Sequence, residues 1–92
     1  MSRKRDRLEI IHDILSVIRD KGEKVKPTHI LYKSNLSHQR LQEYIKELIE
    51  KGLIEEKMLK KEKKTYILTE KGFGYLQDYS GIKTFMESYG LD

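Results

Sequence analysis

The chain has 92 residues, of which 37% are hydrophobic and 37% charged, and it carries a net charge of +4. This length fits one domain with a modest core, and the absence of cysteine excludes a disulfide framework, a thiolate metal site and a cysteine nucleophile. The N-terminal residues are rich in charge, and no apolar stretch approaches the roughly 20 residues that span a bilayer. We therefore expect a cytoplasmic protein without a signal peptide. The net positive charge favours a nucleic-acid partner.

The first half of the sequence predicts two helices. The first covers residues 5–21 and repeats apolar residues at helical spacing. Its apolar face comprises Leu8, Ile10, Ile11, Ile14, Leu15, Val17 and Ile18. Gly22 is expected to end it, since glycine adopts positive φ without strain. A short edge strand over 23–26, around Val25, precedes a second helix over 27–34, which begins with a proline and buries Ile30 and Leu31.

A third helix is predicted over residues 37–51. Asn35 and Leu36 form the turn before it, and Ser37 is a suitable N-cap. The apolar face comprises Leu41, Tyr44, Ile45, Leu48 and Ile49, and Gly52 closes the helix.

Two short strands, over 53–59 and 64–69, follow with a polar tip over 60–63. Their larger apolar positions are Leu53, Met58, Leu59, Tyr66 and Leu68. Thr69 is expected to N-cap a fourth helix, with Glu70 in its first turn. This helix extends at least to Tyr79; whether it continues through Gly81 to Tyr89 stays open.

The order of these elements is more specific than any single motif. It predicts a mainly α fold with a small β-hairpin (α+β), in which helix, short strand, helix–turn–helix, hairpin and C-terminal helix follow one another. This is the order of a winged helix-turn-helix, with the hairpin as the wing. We expect one domain over 1–92, with a core at about 5–80 and an extension at 81–92.

Several segments resemble archaeal winged-helix proteins of the Sso10a-like type, over roughly residues 5 to 80. They are Asn35-Leu36-Ser37, Leu41, Tyr44-Ile45, Leu48-Ile49, Lys51-Gly52-Leu53-Ile54 and Tyr66-Ile67-Leu68-Thr69-Glu70-Lys71-Gly72. The resemblance implies a small, basic, dimeric DNA-binding protein. Some members dimerise through a long C-terminal antiparallel coiled coil, whereas the C-terminal segment here is short and contains Gly81.

The charge pattern predicts two DNA-contacting elements. At about 100° per residue, the exposed face of the third helix carries amide and ammonium groups in its N-terminal half, and these can pair with base edges in the major groove. Lysines near the hairpin tip can displace counterions from phosphates. The candidates are Asn35, Ser37, His38, Gln39, Arg40, Gln42 and Lys46 around the third helix, and Lys57, Lys60, Lys61, Lys63 and Lys64 on the wing.

The charged residues of the wing and of the third helix also have explanations that do not involve DNA. The wing lysines can protect an edge strand from aggregation. The third helix can present an ordinary solvated face with local ion pairs, namely Arg40–Glu43, Arg40–Glu47 and Glu47–Lys51. Its C-terminal half, with Glu47 and Glu50, would repel phosphate.

A second apolar pattern runs along the fourth helix and predicts a homodimer contact. Its members recur at 4,3,4,3 spacing and are Tyr75, Tyr79, Ile82, Met86 and Tyr89. Phe73 and Leu76 lie outside this seam and are expected to pack on the domain's own core. The alternative is that Ile82, Phe85, Met86 and Tyr89 fold back on the same chain.

The pattern therefore predicts a protein that binds double-stranded DNA, as a transcriptional regulator or a chromosome-associated protein. A protein–protein adaptor built on the same fold is the alternative. Neither a phosphate-binding loop nor a nucleophile motif occurs, which argues against an enzyme. His12, His29 and His38 lack the spacing of metal ligands, so we expect no metal and no cofactor.

Overall fold

The computed structural model describes residues 6–59 and 63–91, and within them it contains four α-helices, a short 3-10 helix and a two-stranded antiparallel sheet. The elements are α1 (Arg7–Lys21), the 3-10 helix (Gly22–Lys24), α2 (Pro27–Ser34), α3 (His38–Glu50), β1 (Ile54–Met58), β2 (Lys64–Leu68) and α4 (Glu70–Ser88). This order confirms the predicted fold class.

The predicted helix ends are formed by side-chain and backbone caps. The Ser37 hydroxyl accepts a hydrogen bond from the Arg40 N–H at 3.2 Å, and the Thr69 hydroxyl accepts one from the Gly72 N–H at 3.1 Å. Gly22 ends α1 with φ +57°, and its N–H donates to the Ile18 carbonyl. Each cap satisfies a backbone group that the helix leaves unpaired at its end.

A two-bond C-terminal motif ends α3 and turns the chain toward the hairpin. Gly52 has φ +79° and donates its N–H to the Ile49 carbonyl at 3.0 Å, while the Leu53 N–H donates to the Leu48 carbonyl at 2.9 Å. This is the Schellman arrangement, in which the left-handed position favours glycine. The expected closing role of Gly52 is confirmed.

The core forms around α1. Its buried apolar residues are Ile10, Ile11, Ile14, Leu15, Val17, Ile18, Val25, Ile30, Leu41, Tyr44, Ile45, Leu48, Ile54, Tyr66 and Leu76. Leu31 and Ile49 are half-buried against this cluster. Leu8, in the first turn of α1, belongs to the predicted apolar face of this helix, but it is 54% exposed and lies outside the buried cluster.

The predicted edge strand over 23–26 is wrong. The 3-10 helix Gly22–Lys24 takes its place, and Val25 after it has extended backbone angles. Val25 is buried, and its carbonyl accepts a hydrogen bond from the Thr65 hydroxyl at 3.0 Å. A side chain thus satisfies the carbonyl that a strand ladder would have used, and within the described part of the chain the sheet consists of β1 and β2 alone.

The hairpin pairs Ile54 with Leu68 at its base and Met58 with Lys64 toward its tip. Ile54 and Tyr66 are buried, which anchors the base of the hairpin to the core. Met58 and Leu59, two of the larger apolar residues of the predicted strands, are 55% and 40% exposed. These two residues lie beyond the part of the hairpin that the helices cover.

Helix α4 runs without interruption through Gly81 to Ser88. Leu76 is buried as predicted, but Phe73 is 52% exposed and does not join the core. No helix in residues 6–59 and 63–91 is both long and apolar enough to cross a membrane.

Candidate nucleic-acid interface

The exposed face of α3 carries the residues that the sequence predicted as base-contacting. Gln39, Gln42 and Lys46 are all exposed, on the side of α3 away from the buried Leu41. Amide and ammonium groups in such a position can reach base edges once the helix enters a groove. The structure therefore brings these three predicted residues together on one accessible surface.

The turn before α3 sets where its N-terminal end points. Asn35 adopts the left-handed conformation, with φ +54°, and its N–H donates to the Leu31 carbonyl at 3.1 Å. Asparagine tolerates this conformation better than most residues. Ser37 uses its hydroxyl as the cap of α3, and His38 is exposed in the first turn. Asn35 and Ser37 thus have clear structural roles at the positions predicted for DNA contact.

Two guanidinium groups lie close to the ring of Tyr44 in α3. The guanidinium carbons of Arg7 and Arg40 each lie 5.8 Å from the centre of the Tyr44 ring. Tyr44 is only 8% exposed, so both cations lie over a largely buried aromatic ring. Arg40 is therefore held against its own helix, beside the exposed face.

An ion pair joins α1 to the acidic half of α3. The guanidinium of Arg7 donates to the carboxylate of Glu47, and the two side chains are 56% and 31% exposed. This hydrogen bond raises the pKa of Arg7 above its ordinary value. Sequence reasoning expected Glu47 to pair with Arg40 or Lys51, and it missed Arg7. The two residues are 40 positions apart in the sequence, so no local sequence pattern indicates that they are in contact.

The described wing lysines are exposed, and one of them has an acidic neighbour. Lys57, Lys63 and Lys64 are exposed, and the Lys64 ammonium lies 3.9 Å from a carboxylate oxygen of Glu56 across the hairpin. Lys60 and Lys61 lie outside the described residues. The Glu56 carboxylate therefore partly offsets the positive charge of Lys64.

The predicted dimer seam divides into two parts along α4. In the first part, the Tyr75 hydroxyl donates to the Leu8 carbonyl at 2.8 Å, and the Tyr79 ring stacks on His12 with 4.4 Å between ring centres. Burial raises the pKa of Tyr75 to about 12, with a further contribution from Tyr79. Both tyrosines thus pack on α1 of their own domain.

In the second part of the seam, Ile82 and Tyr89 are 60% and 67% exposed, and Met86 is half-buried. Phe85 and Leu91 are also exposed, and the centres of the Phe85 and Tyr89 rings lie 5.0 Å apart. The expected alternative, in which these side chains fold back on the chain, is not what the structure shows for Ile82, Phe85 and Tyr89.

A groove of about 420 Å³ lies between α1 and α2, away from the exposed face of α3. Val17 and Tyr32 line it, together with His12, Asp13 and His29. Among residues 6–59 and 63–91, no cluster of three histidine or acidic side chains could hold a metal ion.

Known proteins share this architecture. Sso10a-2, a DNA-binding protein from Sulfolobus solfataricus, is 25% identical and superposes with a TM-score of 0.78 over 92% of this chain and 85% of that one. A mutant of MepR from S. aureus, bound to an oligodeoxyribonucleotide, is 17% identical, with a TM-score of 0.72 over 88% of this chain and 60% of its own. No curated protein sequence matches the chain.

ZitR of Lactococcus lactis, in a mutant form, is 18% identical, with a TM-score of 0.67 over 97% of this chain and 62% of its own. At these identities MepR and ZitR support the fold alone, whereas the likeness to Sso10a-2 confirms the resemblance seen in the sequence. The family model described as winged helix-turn-helix matches residues 4–87. The chain belongs to the winged helix-turn-helix family.

Proposed function

We propose that this chain binds double-stranded DNA as a transcriptional regulator or a chromosome-associated protein. In this proposal α3 enters the major groove and the hairpin lies along the phosphate backbone. The observation that carries it is the exposed polar face of α3, with Gln39, Gln42 and Lys46, on the second helix of a helix-turn-helix. The second helix of such a unit is the one that reads bases. Sso10a-2, of the same architecture, is a DNA-binding protein.

The contacts divide by chemistry. Gln39 and Gln42 are suited to adenine, since an amide can donate and accept at the same base edge. Lys46 and Arg40 supply positive charge beside them. The wing lysines 57, 60, 61, 63 and 64 provide affinity that does not depend on sequence, because each ammonium displaces counterions from phosphate. Asn35, Ser37 and His38 complete the N-terminal end of α3, where backbone N–H groups favour a phosphate.

Dimerisation through the C-terminal half of α4 is part of the same proposal. Ile82, Phe85, Met86 and Tyr89 lie within an arc of about 100° on the helix, and three of them are more than half exposed. Such a stripe suits the same stripe of a second copy in a two-fold contact. Lys83 and Glu87 beside the stripe have opposite charges, so an antiparallel pair of helices can match them.

A protein–protein adaptor is the second candidate. The observation that favours it is the acidic character of α3, where Glu43 and Glu50 are exposed on the same surface as Lys46. Such a mixed surface is more typical of protein contacts than of a groove-binding helix. A partner recovered by pull-down that survives both nuclease treatment and substitution of Gln39 and Gln42 would favour the adaptor.

The test of DNA binding is fluorescence anisotropy with the wild-type chain and labelled duplexes of different sequence. We expect binding at micromolar protein or below, with an affinity that falls linearly on a log–log plot between about 50 and 200 mM salt. Absence of binding to every duplex at low salt would contradict the proposal. Equal affinity for all duplexes would favour a chromosome-associated role over a sequence-specific regulator.

A further inference from the structure

Glu47 presents a problem for any groove-binding role of α3. It lies one turn beyond Glu43 on the flank of the exposed face, and its carboxylate is 31% exposed. A carboxylate beside a DNA backbone is repelled by the phosphates. Glu50, also exposed, adds to this repulsion at the end of the helix. The charge of Glu47 must therefore be offset if the middle of α3 is to approach DNA.

Arg7 provides that offset from a different helix. It lies in the first turn of α1, and its guanidinium both donates to the Glu47 carboxylate and rests over the Tyr44 ring at 5.8 Å. The guanidinium of Arg7 therefore contacts both a buried aromatic ring and a carboxylate of α3. Arg40 occupies a matching position over the same ring, so the flank of α3 that meets α1 carries two cations and Glu47 beside Glu43.

We propose that Arg7 is a positioning residue for DNA binding, which neutralises Glu47 and thereby lets the middle of α3 approach the phosphate backbone. This inference rests on the proposed function. It assigns the effect of Arg7 to its contact with Glu47 and not to a phosphate of its own. Affinity for any duplex then depends on the pair, and Arg7 matters only while residue 47 is acidic.

A double-mutant cycle tests this dependence. The variants are Arg7→Gln, Glu47→Gln and the two together, and the double variant keeps the net charge of +4. We expect R7Q to weaken duplex binding about threefold to tenfold, and both E47Q and the double variant to bind within about twofold of wild type. Interacting residues give such non-additive effects, whereas independent sites do not.

The salt dependence separates the two ways in which Arg7 could act. If Arg7 contacted a phosphate directly, its loss would reduce the salt slope by about one and weaken binding equally in the wild-type and E47Q backgrounds. An additive cycle of this kind would overturn the inference while leaving DNA binding intact. No duplex binding by the wild type would overturn the proposed function and this inference with it.

Arg19→Gln is the matched control. Arg19 lies in the same helix, about 18 Å farther along its axis, and its exposed side chain pairs with Asp20 at 3.0 Å. The substitution removes the same charge and the same kind of ion pair away from α3, so we expect less than a twofold change in affinity. Thermal unfolding of the wild type and every variant, followed by circular dichroism, shows whether a loss of affinity comes from a loss of folding. R7Q and the double variant could both have a lowered Tm. If the double variant nevertheless binds DNA as the wild type does, the result still supports the inference.

Discussion

The α-carbon of Gly72 in α4 lies against the carbonyl oxygen of Leu53, so that a Cβ at position 72 would stand 2.3 Å from that oxygen. The same carbonyl accepts a hydrogen bond from the Thr69 N–H at 3.2 Å. The Thr69 hydroxyl donates to the Gly52 carbonyl at 2.6 Å, and the Lys71 ammonium donates to the Lys51 carbonyl at 2.7 Å. The start of α4 is thus held against the segment that follows α3.

This contact predicts that Gly72→Ala destabilises the fold although alanine is the better helix former. The clash is with backbone, which cannot rotate away, and forcing an extra methyl group into a packed site costs about 1–3 kcal/mol. Gly74→Ala is the control, since a Cβ there meets nothing within 4 Å. It should stabilise by roughly 0.5–1 kcal/mol. Urea unfolding measures both, and equal effects of the two substitutions would contradict the close-approach argument.

The wing lysines should set the salt dependence of DNA binding. Replacing Lys60, Lys61 and Lys63 with alanine should weaken binding to every duplex and reduce the salt slope by up to about 2.7, the value for three lost phosphate contacts. Lys64 is left in place because Glu56 lies 3.9 Å from it. The control replaces Lys21, Lys24 and Lys83, and it removes the same charge elsewhere. If both triple variants lowered the salt slope equally, the slope would depend on the net charge of the protein and not on the position of the wing lysines.

The amides of α3 should set sequence preference instead. Replacing Gln39 and Gln42 with alanine should reduce discrimination between duplexes by about 1–3 kcal/mol for each base pair that an amide reads, with the salt slope unchanged. Competition anisotropy against a panel of duplexes measures the discrimination. Gln77→Ala, on the exposed side of α4, is the control and should leave it unchanged. If the wild type bound all duplexes with equal affinity, the protein would be a non-specific binder and these amides would not read bases.

The element order could be predicted from the sequence because local features encode it. Ser37 and Thr69 cap helices through bonds that reach only three residues ahead, and Gly22 and Gly52 adopt the positive φ that their position favours. The strand expected around Val25 failed because strand pairing is not local. The Thr65 hydroxyl, 40 residues away, satisfies the Val25 carbonyl instead.

The candidate site was predictable only where a single element carries it. The exposed face of α3 follows from its own periodicity, as do the positions of Gln39 and Gln42. The contact between Arg7 and Glu47 depends on how α1 crosses α3, which no spacing within either helix encodes. The apolar spacing of α4 likewise identified a face but not what covers it, and α1 covers Tyr75 and Tyr79.

The burial of Tyr75 should make the stability of the fold decrease at alkaline pH. Burial raises the pKa of Tyr75 to about 12 in the folded state, whereas an unfolded tyrosine titrates near about 10. Above pH 10 the unfolded chain loses this proton and the folded chain keeps it. The stabilisation is therefore complete below pH 10 and is lost as the pH rises toward 12.

Tyr75→Phe isolates this effect. It should cost about 0.5–1.5 kcal/mol at neutral pH, the net contribution of one hydrogen bond. The difference in unfolding free energy between wild type and variant should shrink between pH 10 and 12, since only the wild type carries this group. Urea unfolding at several pH values measures it. A constant difference across that range would mean that Tyr75 titrates alike in both states.

The C-terminal stripe of α4 should determine the oligomeric state. Phe85→Ser should yield a monomer by light scattering at concentrations where the wild type is a dimer, because Phe85 is 59% exposed within the stripe. Phe73→Ser is a matched control, since Phe73 is 52% exposed in the same helix but lies about 120° around the axis from Phe85. It should remain dimeric. A monomeric wild type would contradict the dimer, whereas a dimer unaffected by Phe85→Ser would place the contact elsewhere on the domain.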